Sequence, residues 1–245
     1  MKGLYWTILV ILTAAAIVVG CMIHFSSGKS ETTEFDESYG TDVKTLDIDA
    51  ALMDVIITEG SEFRIKYDGA KEFMPECNFS SGSGKLTVKQ KTNIKPNKGM
   101  NYESKLTIEI PKDHELESFE LELSMGNVEG NTLRSKRTKI SDNLGNITFK
   151  TVSSGEIDIE ANLGDVTLDK CSADEIDITA SLGNVRVGID GDVSDYSVEA
   201  EASLGTIEIG GVKYEKSFEQ KGGSKKIEIE CSLGNVKLAK VFLPY

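Results

Sequence analysis

The chain has 245 residues, with 27 basic and 40 acidic side chains and a formal net charge of −13. That length can bury a sizeable core, in one large β domain or two small ones. Residues 1–28 hold a single charge, Lys2, so the remainder carries 26 against 40, or −14; a surface this acidic excludes general nucleic-acid binding, because phosphate contacts need a basic face.

Lys2 is followed by an uncharged, mostly apolar run from Leu4 to Phe25. As a helix that run spans roughly 33 Å, enough for a bilayer core. It stays apolar through Cys21-Met22-Ile23-His24-Phe25, past the point where a cleavable signal peptide ends in small residues. Residues 1–28 are therefore expected as a single-pass transmembrane anchor. Tyr5 and Trp6 suit the interface, and Lys2 keeps the N-terminus cytoplasmic, which places the rest outside the cytoplasm. The alternative is a lipoprotein, since Val18-Val19-Gly20-Cys21 resembles a lipobox with Cys21 as the lipidated residue. Either route leaves the protein anchored at the outer membrane face.

Residues 29–42 are polar and acidic and are expected as a linker. From residue 43 strand-like runs begin: Thr45–Ala50, Phe63–Tyr67, Lys85–Lys89, Lys105–Ile110 and Phe119–Leu123, with loops at Pro75, Pro96 and Pro111. They read as the first, irregular coils of one domain covering residues 43–245.

Self-similarity then organises the chain. The unit is a small or polar residue, Leu, Gly, Asn or Asp, Val or Ile, any residue, and an apolar one. It recurs as SMGNVEG (124–130), NLGNITF (143–149), NLGDVTL (162–168), SLGNVRV (181–187), SLGTIEI (203–209) and SLGNVKL (232–238), with ALMDVII (51–57) a degenerate copy. Its glycines are Gly126, Gly145, Gly164, Gly183, Gly205 and Gly234, at spacings of 19, 19, 19, 22 and 29.

Residues seven, five, three and one before each glycine are apolar in most copies, and those two and four after it are apolar as well. The alternation slips by one at the glycine. A straight strand would send half of these side chains into water, whereas a bend at Gly-Asn turns both halves inward. Each unit is thus two short strands around a corner plus a polar return, too small to bury its own apolar face. Successive units are expected to stack and share one core. The fold class is all-β: a single-domain β-solenoid with coils of about 19 residues, ~4.8 Å apart, preceded by one transmembrane helix. Its handedness is not encoded in the pattern.

Toward the C-terminus, Asp190–Asp195 echoes a calcium loop but has Asp195 where that loop needs glycine, so a turn rich in aspartate is expected. The long return Gly210–Ser224 carries Tyr214 and Phe218 and reads as a recognition loop or as part of a cap. Val241–Tyr245 is expected to cover the open end.

A short N-terminal anchor, the repeated S/N-L-G-N/D-V-x-L unit and the segment Leu106-Thr-Ile-Glu-Ile-Pro-Lys-Asp113 together resemble the bacterial "putative adhesin" β-solenoid domains of unknown function, common in Gram-positive cell-envelope proteins. The resemblance covers residues 43–245. It implies a surface location and an adhesive or envelope-stress role, and it transfers no catalytic or ligand residues. The chain departs from the pattern at Met53, Gly130, Thr138 and Asp142.

No catalytic residues, cofactor or metal site are assigned. The two histidines are His24, in the apolar run, and His114, in a turn-like PKDHE segment expected to be solvated, and no GxSxG or HExxH motif is present. Gly82-Ser83-Gly84-Lys85 lacks the spacing of a phosphate loop. Cys77, Cys171 and Cys231 cannot all pair within one chain; Cys231 stands where other copies have alanine and reads as a small buried hydrophobe.

Outward positions six and four before each glycine are acidic in nine of twelve cases, with Lys139 the only base. They form either a solvated face or a surface for a cation or basic partner. A lysine-rich stretch including Lys89, Lys91, Lys95 and Lys98 could meet anionic envelope polymers. The expected function is a membrane-anchored, extracytoplasmic, non-enzymatic binding protein of adhesin type, its partner an envelope polymer or surface protein. The alternatives are a sensing or accessory component of an envelope-stress system and, less in keeping with the regular coils, a carbohydrate-active enzyme.

Overall fold

The computed structural model describes residues 31–91 and 103–241. The apolar run 4–25 with Cys21, the lysines Lys95 and Lys98, and the cap residues 242–245 lie outside the described residues. Among the described residues no helix is long and apolar enough to cross a membrane.

The strands in chain order are β1 (Thr32–Gly40), β2 (Thr45–Ala50), β3 (Asp54–Gly60), β4 (Phe63–Ala70), β5 (Glu76–Ser80), β6 (Lys85–Lys89), β7 (Ser104–Pro111), β8 (Ser118–Leu123) and β9 (Val128–Leu144). They continue as β10 (Ile147–Leu163), β11 (Val166–Ser172), β12 (Glu175–Leu182), β13 (Val185–Ile189), β14 (Tyr196–Ile209), β15 (Val212–Gln220), β16 (Lys225–Leu233) and β17 (Val236–Lys240). All belong to one continuous sheet.

The centre of the stack follows the sequence period. β9 and β10 run parallel with partners 19 residues apart, from Val128↔Ile147 through Leu133↔Val152 to Leu144↔Leu163. The same offset joins β10 to β11 and β12, and β11 to β13 over Val166↔Val185. A coil therefore has three runs: one after the glycine, one in the return and one before the next glycine. Ile157 and Ile159 lie over Ile176 and Ile178, which lie over Ile227 and Ile229, all buried. Each such aliphatic side chain contributes about 1.5–3 kcal/mol on burial.

The stacking order departs from the chain order at both ends. β12 and β13 pair with β16 and β17, as in Leu182↔Leu233 and Val185↔Val236. β14 lies on the far side of β16 and β17 (Leu204↔Leu233, Ile207↔Val236). The last repeat unit is thus inserted between the fourth and the fifth, correcting the expectation of sequential stacking. The outermost coil, β14, is covered by β15 running antiparallel to it. At the other end β2 and β3 lie between β6 and β7 on one side and β8 and β9 on the other. The copy at 51–57 is therefore a true coil despite Met53.

Antiparallel strands close this end too: β5 on β6, β4 on β7, and β1 on β4. β1 occupies most of the segment expected as a linker. Phe35 stacks on Tyr67 at 5.9 Å, which gives this polar segment an apolar foothold. An uncovered parallel coil would present a row of unpaired backbone groups; folding back and adding an antiparallel strand shortens that hazard at each end.

The irregular residues have local explanations. A side chain at Gly130 would meet the Phe149 ring of the next coil at 2.2 Å, so the larger residue fills the missing one's space. Thr138 points inward but shares hydrogen bonds with Ser135 (2.6 Å) and Ser154 (3.3 Å). Asp142, inward and 1% exposed, accepts from the Leu144 amide through Oδ1 while its Oδ2 has no partner. Cys171 and Cys231 are buried free thiols and Cys77 is half-buried and free.

Candidate functional site

The glycine corner is the feature the sequence repeats, and its geometry explains each letter. A Cβ at Gly145 would lie 1.7 Å from the Gly126 carbonyl oxygen, one at Gly164 1.7 Å from that of Gly145, and one at Gly183 1.9 Å from that of Gly164. The column continues through Gly234 on Gly183 and Gly205 on Gly234, in stacking order rather than chain order. Close contact between coils thus demands glycine at every rung above the first. Positive φ adds to this at Gly164 (146°) and Gly183 (148°). Met53 is tolerated because it is the floor: its own carbonyl receives Gly126.

The residue after each glycine ties one coil to the next. Asp54 Oδ1 accepts from the Asn127 amide at 2.8 Å, Asn127 Oδ1 from that of Asn146 at 3.1 Å, and Asn146 Oδ1 from that of Asp165 at 2.9 Å. The ladder passes through Asn184 and Asn235 and ends where Thr206 donates to Asn235 Oδ1. The backbone that each Asn or Asp satisfies belongs to the neighbouring coil. At the first rung Gln90 adds a second tie beside Asp54. Its Oε1 accepts from the Ala51 and Leu52 amides at 2.7 Å, and its Nε2 donates to the Phe73 and Leu52 carbonyls.

The leucine before the glycine differs from expectation. Residues seven, five and three before it are buried, but the leucine sits at the corner and faces outward: Leu163 is 37% and Leu204 47% exposed, while Leu144, Leu182 and Leu233 are half-buried. The bend begins one residue earlier than the alternation implies. The six repeat glycines form one column of close contacts between coils, and beside them the corner carries an apolar row one residue wide.

Next to that row lie the acidic columns. In stacking order the outer one reads Glu120, Lys139, Asp158, Asp177, Glu228, Glu199, and the inner one Glu122, Ser141, Glu160, Thr179, Glu230, Glu201. Lys139 reaches Asp158 at 2.9 Å and Lys226 reaches Glu228 at 2.9 Å. Glu160, Glu199, Glu201 and Glu230 make no ion pair among the described residues. Partial burial, then the neighbouring Glu228 and Asp158, push the Asp177 carboxyl above its usual range. The field over this side is negative, with Lys139 and Lys226 compensating only part of it.

The other candidates are dispersed. Lys89 ends β6, and Lys91 pairs with Glu76 at 2.6 Å. Tyr214 and Phe218 lie far from them, on β15 at the opposite end of the stack. Their rings are 4.7 Å apart and pack partly against the core, covering the last coil. His114 is half-buried rather than solvated: it stands edge-on to Phe63 at 4.8 Å and bonds the Val43 carbonyl at 2.7 Å. Asp192 caps a short turn through the Ser194 amide at 3.0 Å, as an aspartate-rich turn should. Burial pushes the Cys77 thiol up to about 11 and that of Cys171 to about 12, so neither is a ready nucleophile at neutral pH. Among the described residues no group of three or more His, Cys, Asp or Glu could hold a metal ion.

The sequence model of the Toastrack family of unknown function, DUF4097, matches residues 43–187. The chain belongs to the Toastrack family. No curated protein matches this Toastrack chain in sequence. Its fold is similar to that of a Clostridium sporogenes protein described as a "putative cell adhesion protein", with a TM-score of 0.55 at 15% identity, covering 86% of this chain and 100% of that one. A Bacteroides fragilis protein described as a "putative adhesin" aligns at 12% identity and a TM-score of 0.49, covering 86% and 98%.

Proposed function

We propose that this Toastrack protein is a non-enzymatic binding module of adhesin type, held outside the cytoplasm by residues 1–28 and contacting an envelope polymer or surface protein through the flat sides of its coils. The observation that carries the reading is the corner itself, where small, apolar and acidic side chains recur at most rungs as rows along the outside of the stack. Repeated rows suit extended, multivalent contact, whereas catalysis needs a few convergent groups in a dry cleft. The description of the similarly folded Clostridium protein agrees with this reading.

The test uses the full chain, purified and incubated with insoluble cell-wall sacculi and with arrays of glycans and surface proteins. Saturable retention that soluble polymer competes away is the expected result. No binding across all three sets would overturn it. Location is tested separately: protease added to intact cells should remove the domain while a cytoplasmic marker survives.

A further inference from the structure

The leucine row and the acidic columns are neighbours on one side, and together they specify a partner more narrowly than either alone. Leu163, Leu182, Leu233 and Leu204 stack in direct register, a stripe of about 14 Å at ~4.8 Å per rung. Between this stripe and the inner acidic column stand only the small side chains of Asn162, Ser181, Ser232 and Ser203. The leucine is three residues from the acid, so the two rows are roughly 10 Å apart, about the diameter of a helix with its side chains. A helix laid along the stack advances ~5.4 Å per turn, close to the rung spacing, so one apolar residue per turn meets one leucine.

Charge decides the rest. Glu160, Glu230 and Glu201 flank the stripe without ion-pair partners among the described residues, and Thr179 interrupts them at the Leu182 rung. Behind the four rungs stand Asp158, Asp177, Glu228 and Glu199, of which Asp158 pairs with Lys139 and Glu228 with Lys226. A second copy of this chain would bring like charges together, and an anionic polymer or lipid surface would be repelled. A cationic partner relieves the mutual repulsion of the columns.

The geometry points to this side, from Leu163 to Leu204, as a docking surface for a basic amphipathic helix of a partner protein, its apolar stripe on the leucines and its lysines or arginines over the inner acids. This deepens the adhesin reading and rests on it, because it names the partner class for one side of the same module.

The probe is a fluorescein-labelled peptide of about 18 residues with Leu at i, i+3, i+4 and i+7 and Lys elsewhere, titrated by anisotropy against the full chain. A second peptide replaces Leu by Ser and a third replaces Lys by Glu. Binding by the first, at least tenfold weaker binding by the second and none by the third is expected. Leu163→Asn with Leu204→Asn should weaken the first peptide at least tenfold. Glu160→Gln with Glu230→Gln should weaken it and flatten its salt dependence. Equal binding of the Lys/Ser peptide, or any comparable binding of the Glu/Leu peptide, overturns the inference on the wild-type chain alone, without reliance on the variants folding. If wall polymer binds and competes for the leucine row, the occupant is a polysaccharide and the helix is wrong. If sacculi retain the double leucine variant while no peptide binds, this surface falls and the adhesin reading stands.

Discussion

Asp142 should be the most destabilising side chain in the stack at neutral pH, and removing it should strengthen the protein. It occupies the inward place three before a glycine, which is alanine at Ala161, Ala180 and Ala202. It is 1% exposed, and its Oδ2 has no hydrogen-bond partner. Burial raises its carboxyl to about 6, against the lesser downward pull of the Leu144 amide. A folded-state pKa above the unfolded one, near 3.9, means that the native state holds the proton more tightly. The penalty is therefore fully present above pH 6, falls as pH drops through 6, and is gone below the unfolded value. Two pKa units correspond to about 3 kcal/mol.

Asp142→Ala should accordingly raise stability at pH 7.5 by about 2–3 kcal/mol, or roughly 4–12 °C in melting midpoint for a chain of this size. Between pH 7.5 and pH 4.5 about 2 kcal/mol of the gain should disappear, as the wild-type carboxyl protonates. Asp142→Asn keeps an acceptor for the Leu144 amide and should lose the pH dependence too. Urea unfolding at the two pH values measures both effects. An alanine variant no more stable than wild type at pH 7.5, or a gain that does not change with pH, would refute the reasoning.

The glycine column makes a sharp contrast: Gly145→Ala places a methyl 1.7 Å from the Gly126 carbonyl and should cost more than ~4 kcal/mol, whereas Gly82→Ala, with nothing within 4 Å, should change the urea midpoint hardly at all. Gln90→Ala leaves the Ala51 and Leu52 amides without their acceptor at the first rung of the corner column, and at ~1–3 kcal/mol per unsatisfied group it should cost about 3 kcal/mol, with faster hydrogen exchange at both amides. Lys216 has a φ of 64° where β15 turns the last corner; Lys216→Gly should raise the melting midpoint, since the left-handed strain of about 1–2 kcal/mol exceeds the ~0.5–1 kcal/mol glycine loses to chain entropy.

The coil itself is legible in the sequence because its causes are local. Gly164 and Asn146 are demanded by contacts at a fixed offset of 19 residues, so the same letters recur at that spacing, and the slip of alternation around them fixes the corner. Local pattern also marks the inward residues such as Ile157 and Ile178. It misplaces Leu163, because whether the bend begins before or after the leucine depends on how the coil beneath receives it. Nor does it reveal the order of the coils: parallel rungs are interchangeable in their local chemistry, and only the spacings of 22 and 29 hint that Gly234 rests on Gly183 rather than on Gly205. The fold-back at each end, the recruitment of Thr32–Gly40 as a covering strand and the alignment of Leu204 with Glu201 and Glu230 on one side are decided by tertiary structure. They arise from the need to cover open backbone edges, a condition of the assembled stack and of no segment within it.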